Sequence, residues 1–179
     1  MAFFKNATMK KSFFSLVLLL SCIWSFSQTD GFNQKIMDPK ADQEILIGYC
    51  TRDGLASSSF SSYFKAEYAK YKPDPAILKE ILPKIKGVVI TIIMGTWCSD
   101  SQEQVPRFFR ILDSLGVHIE PLTIICVNKD KQGGPVSLEG LNLEKVPTFI
   151  FYRDKKELGR IIESPSGTLE KDMLSIISK

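Results

Sequence analysis

One cysteine of this chain stands where a thiol could react. Cys98 lies in Trp97-Cys98-Ser99-Asp100-Ser101, after the apolar run Val88-Val89-Ile90-Thr91-Ile92-Ile93-Met94 and before a helical pattern. A helix N-terminus offers unpaired N–H groups and a partial positive charge. Both favour a thiolate over a thiol, and the thiolate is the attacking species in disulfide exchange. A cysteine can equally serve as a small apolar residue, so the residue type alone leaves both readings open. Cys126, inside Ile124-Ile125-Cys126-Val127, suits a buried and inert role. Cys50 precedes Thr51-Arg52-Asp53-Gly54; it is either a turn cysteine without a partner or a thiol that folds back to resolve Cys98. His118 is the single histidine and reads as a surface residue, so neither a structural zinc site nor a Cys-His protease is expected. No glycine loop for phosphate is present, and no cofactor is implied.

The flanking elements must hold Cys98 in place. Residues 87–94 are rich in β-branched side chains, as in a central strand buried on both faces. From Ser101 to Leu115 the apolar residues Val105, Phe108, Phe109, Leu112 and Leu115 share one helical face, and Gly116 follows as a C-terminal stop. Leu122–Val127 reads as a second strand, followed by a polar loop with Gly133, Gly134 and Pro135. Pro147–Tyr152 and Glu157–Ile162, joined by Arg153-Asp154-Lys155-Lys156, form an antiparallel hairpin; Thr168–Ile177 closes the chain as a helix. Upstream, Ser57–Tyr71 has apolar spacings of a helix. Pro75–Leu82 forms another, with Asp74 as its N-cap. Residues 28–43 read as an irregular arm, and Glu44–Cys50 as a short strand or turn. This order predicts an α/β domain with helices on both faces of a mixed sheet.

Residues 85–179 resemble the thioredoxin superfamily. The resemblance rests on Trp97-Cys98 after an apolar strand, on Pro106 eight residues after Cys98, and on Val146-Pro147-Thr148 before the hairpin. It implies a thioredoxin-like fold in which a central mixed sheet is flanked by helices. Residues 28–84 then form a helical N-terminal extension with one or two helices. It further implies that the Val146-Pro147 bond is cis and faces Cys98, that the Val146 backbone pairs with substrate, and that Trp97 and Pro147 shape the binding surface. A trans proline that merely opens an edge strand is the alternative for Pro147.

The departures are informative. The second cysteine of the family's Cys-x-x-Cys site is Ser101 here, so Cys98 cannot form an internal disulfide within that motif. Its mixed disulfides would need another thiol for release. The Ser101 hydroxyl is expected to donate a hydrogen bond to the Cys98 thiolate. The buried acid of the family is Ile92 here; its proton-transfer role loses its purpose without a second cysteine. Asp100 either complements the helix dipole or opposes a second negative charge at Cys98.

The first 27 residues read as a signal peptide: Lys5, Lys10 and Lys11, then an apolar run through Leu20, then Ser25 and Ser27 around Phe26. Leu19-Leu20-Ser21-Cys22 also resembles a lipoprotein box, in which Cys22 would anchor the protein to a membrane. Setting aside those three lysines leaves 20 of the 23 basic residues against 20 acids, which excludes a polyanion-binding signal such as one for nucleic acid. Removal of the leader leaves three cysteines, an odd number for an exported protein. The expected partners are client protein thiols or disulfides and a low-molecular-weight thiol, with no metal. The expected function is monothiol exchange in the periplasm or outside the cell, against a binding module that captures thiols or peptides and an inert structural domain.

Overall fold

The computed structural model describes residues 31–116 and 121–179, besides Met1. The leader, Cys22 and His118 lie outside the described residues. Six strands form one mixed sheet in the order β1-β2-β4-β3-β5-β6. These are β1 (Gln34–Asp38), β2 (Gln43–Cys50), β3 (Val89–Met94), β4 (Leu122–Cys126), β5 (Thr148–Arg153) and β6 (Lys156–Ile162). The helices are α1 (Arg52–Ser57), α2 (Ser61–Lys70), α3 (Pro75–Ile81), α4 (Ser99–Ser114) and α5 (Leu169–Ile177). β3 is central, parallel to β4 and antiparallel to β5, so a βαβ unit built from β3, α4 and β4 carries Cys98 at its first turn.

β3 is buried on both faces because its side chains alternate between two clusters. Ile90, Ile92 and Met94 join the larger one, and Ile93 joins the smaller. Phe108 and Phe109 of α4 pack into the larger cluster with Phe149 and Phe151 of β5, the Phe108 and Phe149 rings being 4.6 Å apart. Every described helix places its buried residues in that cluster: Leu55, Phe64, Ile77, Phe108 and Met173 among them. Helices were expected on both faces; the structure puts them on one. The other face carries Ile93, Ile125, Val127, Val146 and Ile150, covered by Val136, Leu138, Leu141 and Leu143 of loop 128–146. Glycines at 133, 134 and 140 and a proline at 135 keep that loop from becoming a helix.

The extension was expected to hold one or two helices; it holds three, α1 to α3, and also supplies two strands. The stretch read as an irregular arm contains β1, which pairs antiparallel with β2 from Gln34↔Ile47 to Asp38↔Gln43. The first four residues of β1 are exposed, so it shows no buried face for periodicity to reveal. The helix expected over 57–71 is α2, over 61–70, and a separate short helix, α1, precedes it over 52–57. Ser58 is extended, and its hydroxyl bonds the Leu55 carbonyl and the Phe60 N–H, which ends α1 before α2 begins. α3 begins as expected, with the Asp74 carboxylate capping the Ala76 N–H at 2.8 Å and Pro75 in the first turn.

Polar contacts lock the extension onto α4 and α5. Arg52 grips Asp113 with two bonds of 2.8 and 2.5 Å, and the Tyr68 hydroxyl reaches the same carboxylate at 2.6 Å. The Arg52 guanidinium first, helped by Tyr68, holds the Asp113 carboxyl below its usual range. The Tyr71 hydroxyl donates to buried Glu170 at 2.6 Å; burial and that carboxylate push the Tyr71 phenol up.

Candidate active site

Cys98 is the N-cap of α4, with extended backbone (φ −90°, ψ 127°), and its side chain is half-buried. The sharp turn from β3 is closed by the Cys98 N–H, which donates to the Gly95 carbonyl at 3.0 Å. Gly95 is required here. A Cβ at this position would lie 2.5 Å from Cε2 and Nε1 of Trp97, inside any van der Waals contact. The Trp97 indole thus lies against the turn and donates from Nε1 to the Val127 carbonyl at 2.8 Å.

The Val146-Pro147 peptide bond is cis, and the Cys98 Sγ lies 3.3 Å from the Val146 carbonyl oxygen, to which the thiol donates. Cys98, Trp97, Val146 and Pro147 therefore meet, from segments almost fifty residues apart. The loop that carries the proline is held from both sides. The Thr148 hydroxyl donates to the Lys145 carbonyl at 2.6 Å, and the Glu163 N–H donates to the Pro147 carbonyl at 2.7 Å. Lys145 pairs with Glu163 at 2.6 Å; that carboxylate, with Glu144 and Asp100 further off, raises the Lys145 ammonium above its usual value.

Ser101 differs from its expected role. It is fully buried, and its Oγ accepts the Gly95 N–H at 3.2 Å. No hydrogen bond joins it to Cys98. A helical side chain leans toward the turn before it, which carries Ser101 back to the end of β3. Its role here is to fix the Gly95–Cys98 turn. Cys50 also departs from expectation as a resolving thiol. β2 runs antiparallel to β4, with Gly48 opposite Cys126 and Cys50 opposite Ile124. The chain at Cys50 is thus heading away from the end of the sheet that carries Cys98, and its side chain belongs to the helix-side cluster. Cys98 packs on the opposite, loop-side cluster. Cys126 is fully buried, and Ile92 fills the position of the family's acid with a fully buried apolar side chain.

Several contributors escaped the sequence reading because long-range contacts define them. The Thr96 carbonyl accepts from Gln102 Nε2 at 3.0 Å, and its Oγ1 accepts the Leu46 N–H at 3.3 Å, tying the active turn to β2. Lys129 Nζ stands 5.8 Å from the Trp97 ring. The buried Asp38 carboxylate accepts the Lys129 N–H at 2.9 Å, and that bond, then those from Lys40 and Ala41, lowers its pKa below the ordinary range. Through Asp38 the β1–β2 hairpin anchors the loop beside Trp97. Tyr63, Glu67 and Lys70 of α2 border a shallow depression of about 290 Å³ with Ser99, Gln102, Glu103 and Arg107 on the first turns of α4. Among the described residues, no group of three or more His, Cys, Asp or Glu could hold a metal ion, and no helix is long and apolar enough to cross a membrane.

The β3–α4–β4 unit, the β5–β6 hairpin, the closing helix and a cysteine at the head of α4 define a thioredoxin-like α/β protein. The chain is 28% identical to thioredoxin from Chlamydia trachomatis over 94 residues, covering 52% of this chain and 82% of that one. It is also 28% identical to thioredoxin from Chlamydia caviae over 88 residues, 49% of this chain and 76% of that one. Among solved structures it resembles a Pseudomonas aeruginosa protein of unknown function, with a TM-score of 0.51 at 16% identity, over 68% of this chain and 85% of that one. No protein-family model matches the chain. The likeness to thioredoxins supports a function of the thiol-disulfide exchange type.

Proposed function

We propose that this protein carries out thiol-disulfide exchange outside the cytoplasm through one nucleophile, Cys98. The observation that supports it is the half-buried Cys98 thiol at a helix N-terminus, 3.3 Å from the carbonyl that precedes a cis proline. In the forward step the Cys98 thiolate attacks one sulfur of a client disulfide. A Cys98–client disulfide forms, the client S–S bond breaks, and the departing thiolate takes up a proton. The Val146 carbonyl, released from the Cys98 thiol, is free to accept a backbone N–H of the client. An external low-molecular-weight thiol then attacks the mixed disulfide, restores Cys98 and carries the client sulfur away. The apolar leader motivates export; the depression beside Ser99 offers the client a polar shoulder built by the extension.

A capture role is the second reading. It draws on the burial of Cys50 and Cys126 in the helix-side cluster, away from Cys98, which leaves no other thiol beside Cys98 among the described residues. Reduction of a peptide–glutathione mixed disulfide by excess glutathione separates the two. Catalytic turnover that disappears in Cys98→Ala is the expected result. Stoichiometric adducts on Cys98 that persist in glutathione would assign capture instead, and equal rates for wild type and Cys98→Ala would remove Cys98 from the chemistry.

A further inference from the structure

Cys50 and Cys126 are diagonal neighbours. The pairing of Gly48 with Cys126 and of Cys50 with Ile124 places them two ladder positions apart across β2 and β4. Both side chains enter the helix-side cluster, with 4% and 0% exposure. The Cys50 Sγ lies 3.6 Å from the carbonyl of Gly48, the residue opposite Cys126, so this sulfur is turned back along β2 toward its neighbour. The neighbouring Cys50 side chain first, and then burial, pushes the Cys126 thiol well above its usual value.

We propose that Cys50 and Cys126 close a disulfide that ties the hairpin of the extension to β4 and leaves Cys98 as the one unpaired thiol after residue 28. The pairing explains the odd count. Of four cysteines, Cys22 lies in the leader segment; a Cys50–Cys126 bond uses two of the other three. Diagonal neighbours have Cα atoms about 7–8 Å apart, and a disulfide spans up to about 7 Å. Closure draws the strands together by about an ångström at the last residue of β2, where pairing with β4 ends.

The oxidant is a low-molecular-weight disulfide such as oxidised glutathione. Cys50, as thiolate, attacks it, forms a mixed disulfide and releases one thiol. Cys126, losing its proton, attacks the Cys50 sulfur and releases the second thiol. Two electrons pass from the cysteine pair to the small disulfide, which leaves as two thiols. Because both groups are buried, the bond forms while the hairpin is still open, during folding.

Trypsin separates the three cysteines into peptides 41–52, 87–107 and 111–129. Full-length protein carrying Cys22→Ser is refolded in reduced and oxidised glutathione, alkylated, and digested without reduction. The expected result is peptide 41–52 joined to 111–129, with 87–107 alkylated at Cys98. The joined species should vanish in Cys50→Ala, and the oxidised parent should melt several degrees above its reduced form while Cys50→Ala does not. Alkylated Cys50 and Cys126 in refolded protein, or either one linked to Cys98, would overturn the proposal. The readout is independent of turnover at Cys98, so failure here leaves the exchange assay to stand or fall alone.

Discussion

The two faces of the sheet are built to different rules. One is roofed by five helices among the described residues and holds the large aromatic core of Phe60, Phe64, Phe108, Phe149 and Phe151. The other is covered by an irregular loop and holds Ile93, Ile125, Val127, Val146 and Ile150, with Trp97 and Cys98 at its margin. Most of the buried side chains belong to the first face, and the candidate site stands on the second. A site at the edge of a thin cluster keeps its thiol half-exposed while the rest of the molecule holds its backbone still.

The sharpest test of that contrast compares truncations on the two faces. Phe108→Ala removes a fully buried ring and is expected to cost about 3–5 kcal/mol in denaturant unfolding. Leu138→Ala, on the loop, should cost under about 2 kcal/mol, since its side chain is only partly buried. Equal losses would mean that the loop is as much a core element as the helices. Gly95→Ala comes next. Its Cβ would displace the Trp97 ring, with an expected loss of about 1–3 kcal/mol, a change in tryptophan fluorescence and slower alkylation of Cys98. Smallest is the acid response. Asp38 and Asp113 have lowered pKa values when folded, so each adds stability above the unfolded carboxylate value of about 3.9, which is lost as pH falls through the folded value. Melting temperature should therefore decline below about pH 4, and Asp38→Asn should flatten part of that decline. An unchanged slope would show that the bond between the hairpin and the loop bears no load.

Much of this was legible in residue patterns. β3 and α4 announce themselves by continuous apolar content and by period, and the local motif around Cys98, with Val146 and Pro147, marked four residues that do meet. β1 was hidden because Gln34-Lys35-Ile36-Met37 turns no side chain into the core. The partner of Ser101 was misjudged because spacing gives proximity to Cys98 but not the direction of the hydroxyl. The surroundings of Cys50 were illegible for a related reason. Its neighbour depends on the antiparallel register of β2 on β4, a contact between segments more than seventy residues apart, which no local pattern encodes.

β2 sits between β1 and β4 and satisfies the outer backbone groups of β4. A fragment cut to begin near residue 85 would strip that partner away and lay bare a row of unpaired amides beside Ile124, Ile125 and Cys126. Such an edge recruits strands from other molecules. The minimal thioredoxin-sized piece of this chain would be sticky and prone to self-association, however intact the turn that carries Cys98.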